Sequence, residues 1–322
     1  MNLKKIGLTA LAGSLVATSL VAGEMSVTGA ASLKVRHVDT NSAGKAFSMG
    51  NQLDFVGSGE MDNGIDVKLS FALDQGDDST TGLKNSPFDS HSLSLGSDSL
   101  GTIVFHGEGG SSAQTKMDTT AAGDLWDNGY GVSLANDPKT SATGNNMFFY
   151  TLPTLVDDLA LTASYTPRGG ANTAIDSSSA FGIAYTGVEG LVLNYAQGEN
   201  NSKATDTGDA TTMKVSYAYG SFEVGYSDSS YDAQTDAGDQ DVKSYKVSYT
   251  MTDNFSVAYG EDEISLPKVA DDQDITTTAI TASYTTGGMT LGVMVGDTEN
   301  NAHGTSASED KEMWHLTASF AF

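Results

Sequence analysis

From residue 24 onward the chain alternates apolar and polar side chains over short runs, a period of two that predicts strands with two unlike faces. The closing run sets Trp314, Leu316, Ala318, Phe320 and Phe322 against His315, Thr317, Ser319 and Ala321. The opening run sets Val27, Gly29, Ala31, Leu33 and Val35 against Ser26, Thr28, Ala30, Ser32, Lys34 and Arg36. A polar stretch to Gly50 follows, then residues 51–59 with Leu53 and Phe55 on one face. Further runs centre on Val67-Leu69-Phe71, on His91-Leu93-Leu95, and on a fifth strand with Ile103 and Phe105 outward and Val104 and His106 inward. Residues 108–146 then form the longest stretch without strand pattern, rich in Gly, Ser, Thr, Asp and Asn. Residues 147–152 resume the pattern, and ten more runs between Leu161 and Phe322 bring the total to about sixteen.

The connections alternate in length. Tight ones fall at 60–63, 97–100, 187–190, 220, 252–254 and 285–288. Long polar ones fall at 74–87, 168–178, 199–209, 228–240, 262–274 and 297–310. An up-and-down meander puts all odd connections at one end and all even ones at the other, whereas a Greek-key sandwich has no reason to alternate so evenly. The tyrosines agree: Tyr165, Tyr185, Tyr195, Tyr219, Tyr226, Tyr249, Tyr259 and Tyr284 sit at or near the last apolar position of successive strands. Strands running up and down in turn would arrange them in two rings, one at each membrane interface. The first five strands hold no Tyr, and their outer faces include Gly29, Ala31 and Gly57, a wall suited to a second subunit. This predicts a homo-oligomer.

Composition narrows the class. Lys4 and Lys5 precede a mildly apolar stretch ending in Val21-Ala22-Gly23, which predicts a secretory leader, residues 1–23, removed from a single domain over residues 24–322. No later apolar run is long enough for a spanning helix, so a membrane protein made from the rest must be a closed barrel. There is no Cys, which excludes disulfides and thiolate metal sites. With 16 basic and 41 acidic residues the net charge is -25; without Lys4 and Lys5, 14 bases against 41 acids leave -27. Nucleic acid is excluded as a partner, since phosphate binding needs a basic surface. His37, His91, His106, His303 and His315 show no metal-type spacing, and no nucleophile elbow or phosphate loop appears, so no enzyme and no cofactor are expected.

The leader, the amphipathic strands, the alternating loops, the long segment after the fifth strand and the terminal Phe322 together resemble the general, non-specific porins of Gram-negative bacteria, the alphaproteobacterial type above all. The resemblance covers residues 24–322 and rests on architecture. It implies an all-β fold: a transmembrane antiparallel up-and-down barrel of about sixteen strands in the outer membrane, assembled as a homotrimer, with the loop at 108–146 folded into the pore. The Pro-Glu-Phe-Gly-Gly motif of enterobacterial relatives is absent, so the loop's detailed geometry is not carried over. The expected function is passive diffusion of small hydrophilic solutes and ions. Parity puts Lys34, Arg36, Lys68 and His106 on the lumen side, and the folded-in loop would add Glu108, Asp118, Asp124 and Asp127. Bases on one wall facing acids on a loop give a transverse field, and the overall acidity predicts a preference for cations. The pairs Asp271-Asp272 and Glu309-Asp310 are candidate Ca2+ sites shared with lipopolysaccharide. Two alternatives stay open: a secreted acidic β-rich surface protein, and an 18-stranded sugar-type porin.

Overall fold

The computed structural model describes residues 23–38, 45–74, 88–127, 134, 137–168, 176–201, 207–269, 273–301, 303 and 310–322. Residues 1–22 of the expected leader, the pair Asp271-Asp272 and Glu309 lie outside them. In chain order the strands are β1 (Glu24–Val38), β2 (Lys45–Glu60), β3 (Asp66–Asp74), β4 (Phe88–Ser97), β5 (Gly101–Glu108), β6 (Gly110–Ser111), β7 (Thr143–Gly144), β8 (Met147–Thr151) and β9 (Leu159–Thr166). They continue as β10 (Ser178–Val188), β11 (Leu191–Asn200), β12 (Gly208–Tyr219), β13 (Phe222–Ala233), β14 (Gln240–Thr252), β15 (Phe255–Ser265), β16 (Ile275–Thr286), β17 (Met289–Glu299) and β18 (Lys311–Ala321). All except β6 and β7 form one closed antiparallel barrel, sixteen strands in which each pairs with its neighbours along the chain and β18 returns to β1. The count removes the 18-stranded alternative.

β1 and β18 close the barrel over nine residue pairs, from Ala30 with Ala321 to Val38 with Met313, and the last residue extends the seam. The Phe322 amide donates to the Gly29 carbonyl at 3.0 Å and the Gly29 amide to the Phe322 carbonyl at 2.7 Å. A Cβ at Gly29 would lie 2.4 Å from the Phe322 ring and 2.9 Å from Leu53, so only glycine leaves the ring its seat. In hydrocarbon each unpaired backbone group costs several kcal/mol, so the seam between first and last strands must be hydrogen-bonded.

The outward side chains are the apolar set: Val27, Leu33, Leu69, Leu193, Val247, Val293 and Leu316 are all exposed. Such a continuous apolar band is a liability in water and a requirement in lipid. Tyr185, Tyr219, Tyr249 and Tyr284 edge the band at the tight turns, while Tyr165, Tyr195, Tyr226 and Tyr259 lie toward the long loops. On the loop side Tyr226 donates to Asp228 and Tyr259 to Glu261, each at 3.0 Å, so the outer face turns acidic just past the aromatic ring.

Two boundaries differ from expectation. The polar stretch expected up to Gly50 is strand from Lys45, carrying Phe47 and Met49 outward. The long connections are shorter than expected, because Asp228–Ala233 and Asp262–Ser265 remain in strands. Beyond the apolar band both faces are polar, so the alternation fades while the ladder continues.

Candidate functional site

The buried packing of this barrel lies between its inner wall and residues 109–127 and 137–146, which fold inward after β5. The ends of the segment pair, Gly110 with Gly144 and Ser111 with Thr143. From there the loop crosses the wall from β9 to β18, held by a slanting row of inward side chains. The Ala113 amide donates to Ser164 Oγ on β9 at 3.0 Å, and Gln114 Nε2 donates to Thr212 Oγ1 on β12 at 2.9 Å. Ala121 and Ala122 amides donate to Ser227 on β13 and Ser244 on β14, both at 2.9 Å. The Leu125 amide donates to Asp262 Oδ2 on β15 at 2.7 Å. Each neutral bond contributes about 0.5–1.5 kcal/mol net, and the bond to the carboxylate more.

Apolar patches complete the docking. Leu125, 2% exposed, is packed among Ala279, Met294 and Met313, and Trp126 lies against Val242, Ile264 and Ile275. Near the start of the loop Ala113 meets Phe149 and Ala180. The tip is a compact turn: the Thr120 amide donates to Asp124 Oδ1 at 2.8 Å, and the Asp124 amide donates to Thr120 Oγ1 at 2.7 Å. Asp124 itself takes a left-handed φ of 54°, a conformation that Asp tolerates better than most residues. Thr140 Oγ1 donates to Asp118 Oδ2 at 2.6 Å, tying the outgoing and returning limbs together.

Among its described residues the loop is docked on the inner face from β9 round to β18. It does not fill the barrel: below its tip a recess of about 510 Å³ is lined by Lys246, Glu223, His315 and the hydroxyls of Ser248 and Ser283.

The expected site residues fall into three groups. Lys34 and Arg36 stand on the inner face of β1, opposite Thr317 and His315 of β18, and Lys68 stands on the inner face of β3 opposite Ser58 and Ser94. These are the inward-facing bases of β1 and β3. Asp118, Asp124 and Asp127 lie on the loop inside the barrel, Asp127 exposed and the other two half-buried. Burial pushes the Asp118 carboxyl up to about 6, and it raises Asp124 as well. His106 faces inward on β5, close to Lys116 at the base of the loop.

Glu108 is a correction. It is the last residue of β5, and its carboxylate lies 3.9 Å from His91 Nδ1, on the outer face shared with Leu93. The register slips between the pairs His91–Glu108 and Ser92–His106, leaving Gly107 as an extra residue. One such bulge reverses the face of everything after it.

The sequence reading missed several groups that shape the site. Lys214 on β12 donates from Nζ to the Thr119 carbonyl at 2.8 Å. Lys246 on β14 pairs with Glu223 on β13 at 2.9 Å. Lys116 sits 3.7 Å from the Phe149 ring centroid, and burial lowers its pKa. Among the described residues no cluster of His, Asp or Glu could hold a metal ion.

A family model described as Gram-negative porin matches residues 7–303. No curated protein sequence matches the chain. Solved structures do: a mutant of the Rh. blastica porin is 14% identical with a TM-score of 0.68, and covers 93% of this chain and 100% of its own. A structure titled anion-selective porin from Comamonas acidovorans has the same identity and coverage and a TM-score of 0.69. A triple mutant of Rhodopseudomonas blastica porin is 15% identical with a TM-score of 0.66, again over 93% of this chain and all of its own. At such identities the likeness is one of fold.

Proposed function

The chain belongs to the Gram-negative porin family, and from that premise we propose that it is a passive, water-filled pore for small hydrophilic solutes with a preference for cations. It is an outer-membrane channel and not an enzyme. The observation that carries the finer reading is the placement of the inner loop. Docked from β9 to β18, it holds Asp118, Asp124 and Asp127 inside the barrel, with Lys34, Arg36 and Lys68 on the inner faces of β1 and β3. Opposed signs across a narrow polar passage orient dipolar solutes and disfavour apolar ones. The fold alone does not set the sign of the ion preference. The excess of 41 acidic over 16 basic residues supports an acidic approach to the passage and so enrichment of cations.

We further propose a homotrimer joined through the outer face of β1 to β5, which carries no Tyr and includes the small residues Gly29, Ala31 and Gly57. The acidic outer face beyond Tyr226 and Tyr259 would meet the headgroups of lipopolysaccharide. Ca2+ bridging to it at the long loops is a proposal too; of the four acids expected to hold the ion, only Asp310 is described. The test is a planar bilayer under a KCl gradient. A reversal potential on the potassium side supports the reading, and one on the chloride side defeats the cation preference.

A further inference from the structure

We propose that Lys214 sets the charge preference of the constriction, holding the acidic tip of the inner loop to the wall and serving as its resident counter-cation. The inference rests on the channel reading above and names the residue that tunes it.

Lys214 stands on the inner face of β12, two residues from the Thr212 that receives Gln114. Its ammonium reaches the loop at Thr119, with 2.8 Å from Nζ to the carbonyl oxygen across 95 residues of sequence. Thr119 follows Asp118 directly and precedes the Thr120–Asp124 turn, so the ammonium is anchored beside the tip and acts on both half-buried carboxylates. The other charged groups around it are few. Asp127 acts on Asp124 from further along the loop, Asp262 of β15 stands against Thr120 and Leu125 on the tip's other side, and Lys246 faces Lys214 from β14. Lys246 has Glu223 as its own partner at 2.9 Å, so it does not serve the tip. Among the described residues Lys214 is thus the cation that acts on both half-buried carboxylates of the tip.

This arrangement separates anchoring from charge. Gln at 214 keeps a donor and loses the charge, Arg keeps both, and Met keeps the length and loses both. A unit charge within a Debye length of about 10 Å of the ion path acts in opposite senses on cation and anion. Lys214→Gln is therefore expected to raise the cation-to-anion permeability ratio about two- to threefold in about 0.1 M KCl, an effect that shrinks in about 1 M. Lys214→Arg leaves the ratio as it is. Lys214→Met raises the ratio and adds open-channel noise. A lysine that merely braced the loop would change the noise and leave the reversal potential alone.

Lys34→Gln is the control, because it removes an inward cation of β1 and leaves the bond from Lys214 to Thr119 in place. A shift with Lys34→Gln but none with Lys214→Gln overturns the assignment to Lys214 and leaves the channel reading standing. No shift with either variant, or no conductance from folded wild-type protein, overturns both. Should Lys214→Met fail to assemble, the Gln and Arg variants decide the question.

Discussion

Leu125 is where the inner loop is most exposed to a single deletion. Its side chain is 2% exposed in a pocket of Ala279, Met294 and Met313, three strands' worth of inner wall. Leu125→Ala removes that plug and leaves the backbone bond to Asp262 in place. Buried Leu-to-Ala changes cost about 2–5 kcal/mol, depending on how far the site collapses. Two of the three neighbours are methionines, whose unbranched chains move into gaps readily, which favours the lower part of the range, about 2–3 kcal/mol. At roughly 1.4 kcal/mol per factor of ten, the undocked tip becomes about 30- to 150-fold more populated. The barrel ladder is separate from this contact, so the protein should remain folded and resist SDS until heated. The assay is single-channel recording at steady voltage: flicker and open-channel noise rise sharply while channels still insert. If Leu125→Ala conducts as quietly as the parent, the tip is not held by this pocket and the docking account is wrong.

The remaining expectations follow from the same geometry. Burial favours the protonated form of Asp118, raising its pKa from an ordinary 3.8 to about 6. Its support for the docked tip is therefore fully present below about 4 and lost as pH rises through about 6. Lowering the pH from about 8 to about 5 should quiet the channel and reduce its cation preference, with the midpoint near 6; Asp118→Asn should flatten that step in the reversal potential. Gly29→Leu pushes the Phe322 ring off its seat at the barrel seam, and overpacking of this kind costs about 1–3 kcal/mol. Yield of heat-modifiable protein should fall, measured by mobility on unheated gels. Val293→Arg places a cation on the apolar outer band and should cost about 2–4 kcal/mol, while Ser283→Arg on the inner face should assemble normally and alter conductance instead. Equal assembly of the two variants, compared by urea titration in detergent, would mean the faces have been assigned wrongly.

The barrel could be read from the chain because lipid imposes one rule on every strand: apolar outward, in register with a polar inner face. Val293, Leu316 and Val247 obey it locally, and no distant contact is needed to see it. The inner loop obeys no such rule. Ser164, Ser227 and Ser244 are ordinary lumen-facing hydroxyls until a loop amide arrives from as much as 122 residues away. A signal was present nonetheless. Val242, Ile264, Ile275, Met294 and Met313 are apolar at inner positions, where a wet lumen gives no reason for them, and they lie under the loop. Glu108 was misplaced because parity counting cannot see the bulge at Gly107. Around Lys34, Arg36 and Lys68 nothing interrupts the ladder, so counting along the chain and the strand register put them on the same face.

Current across a planar lipid bilayer, recorded after adding detergent-solubilised protein that has been folded from residues 24–322, tests the central claim most directly. The account predicts discrete upward steps of uniform size, ohmic at low voltage and more permeable to potassium than to chloride. Protein that stays monodisperse in detergent-free buffer and leaves the bilayer silent would contradict it.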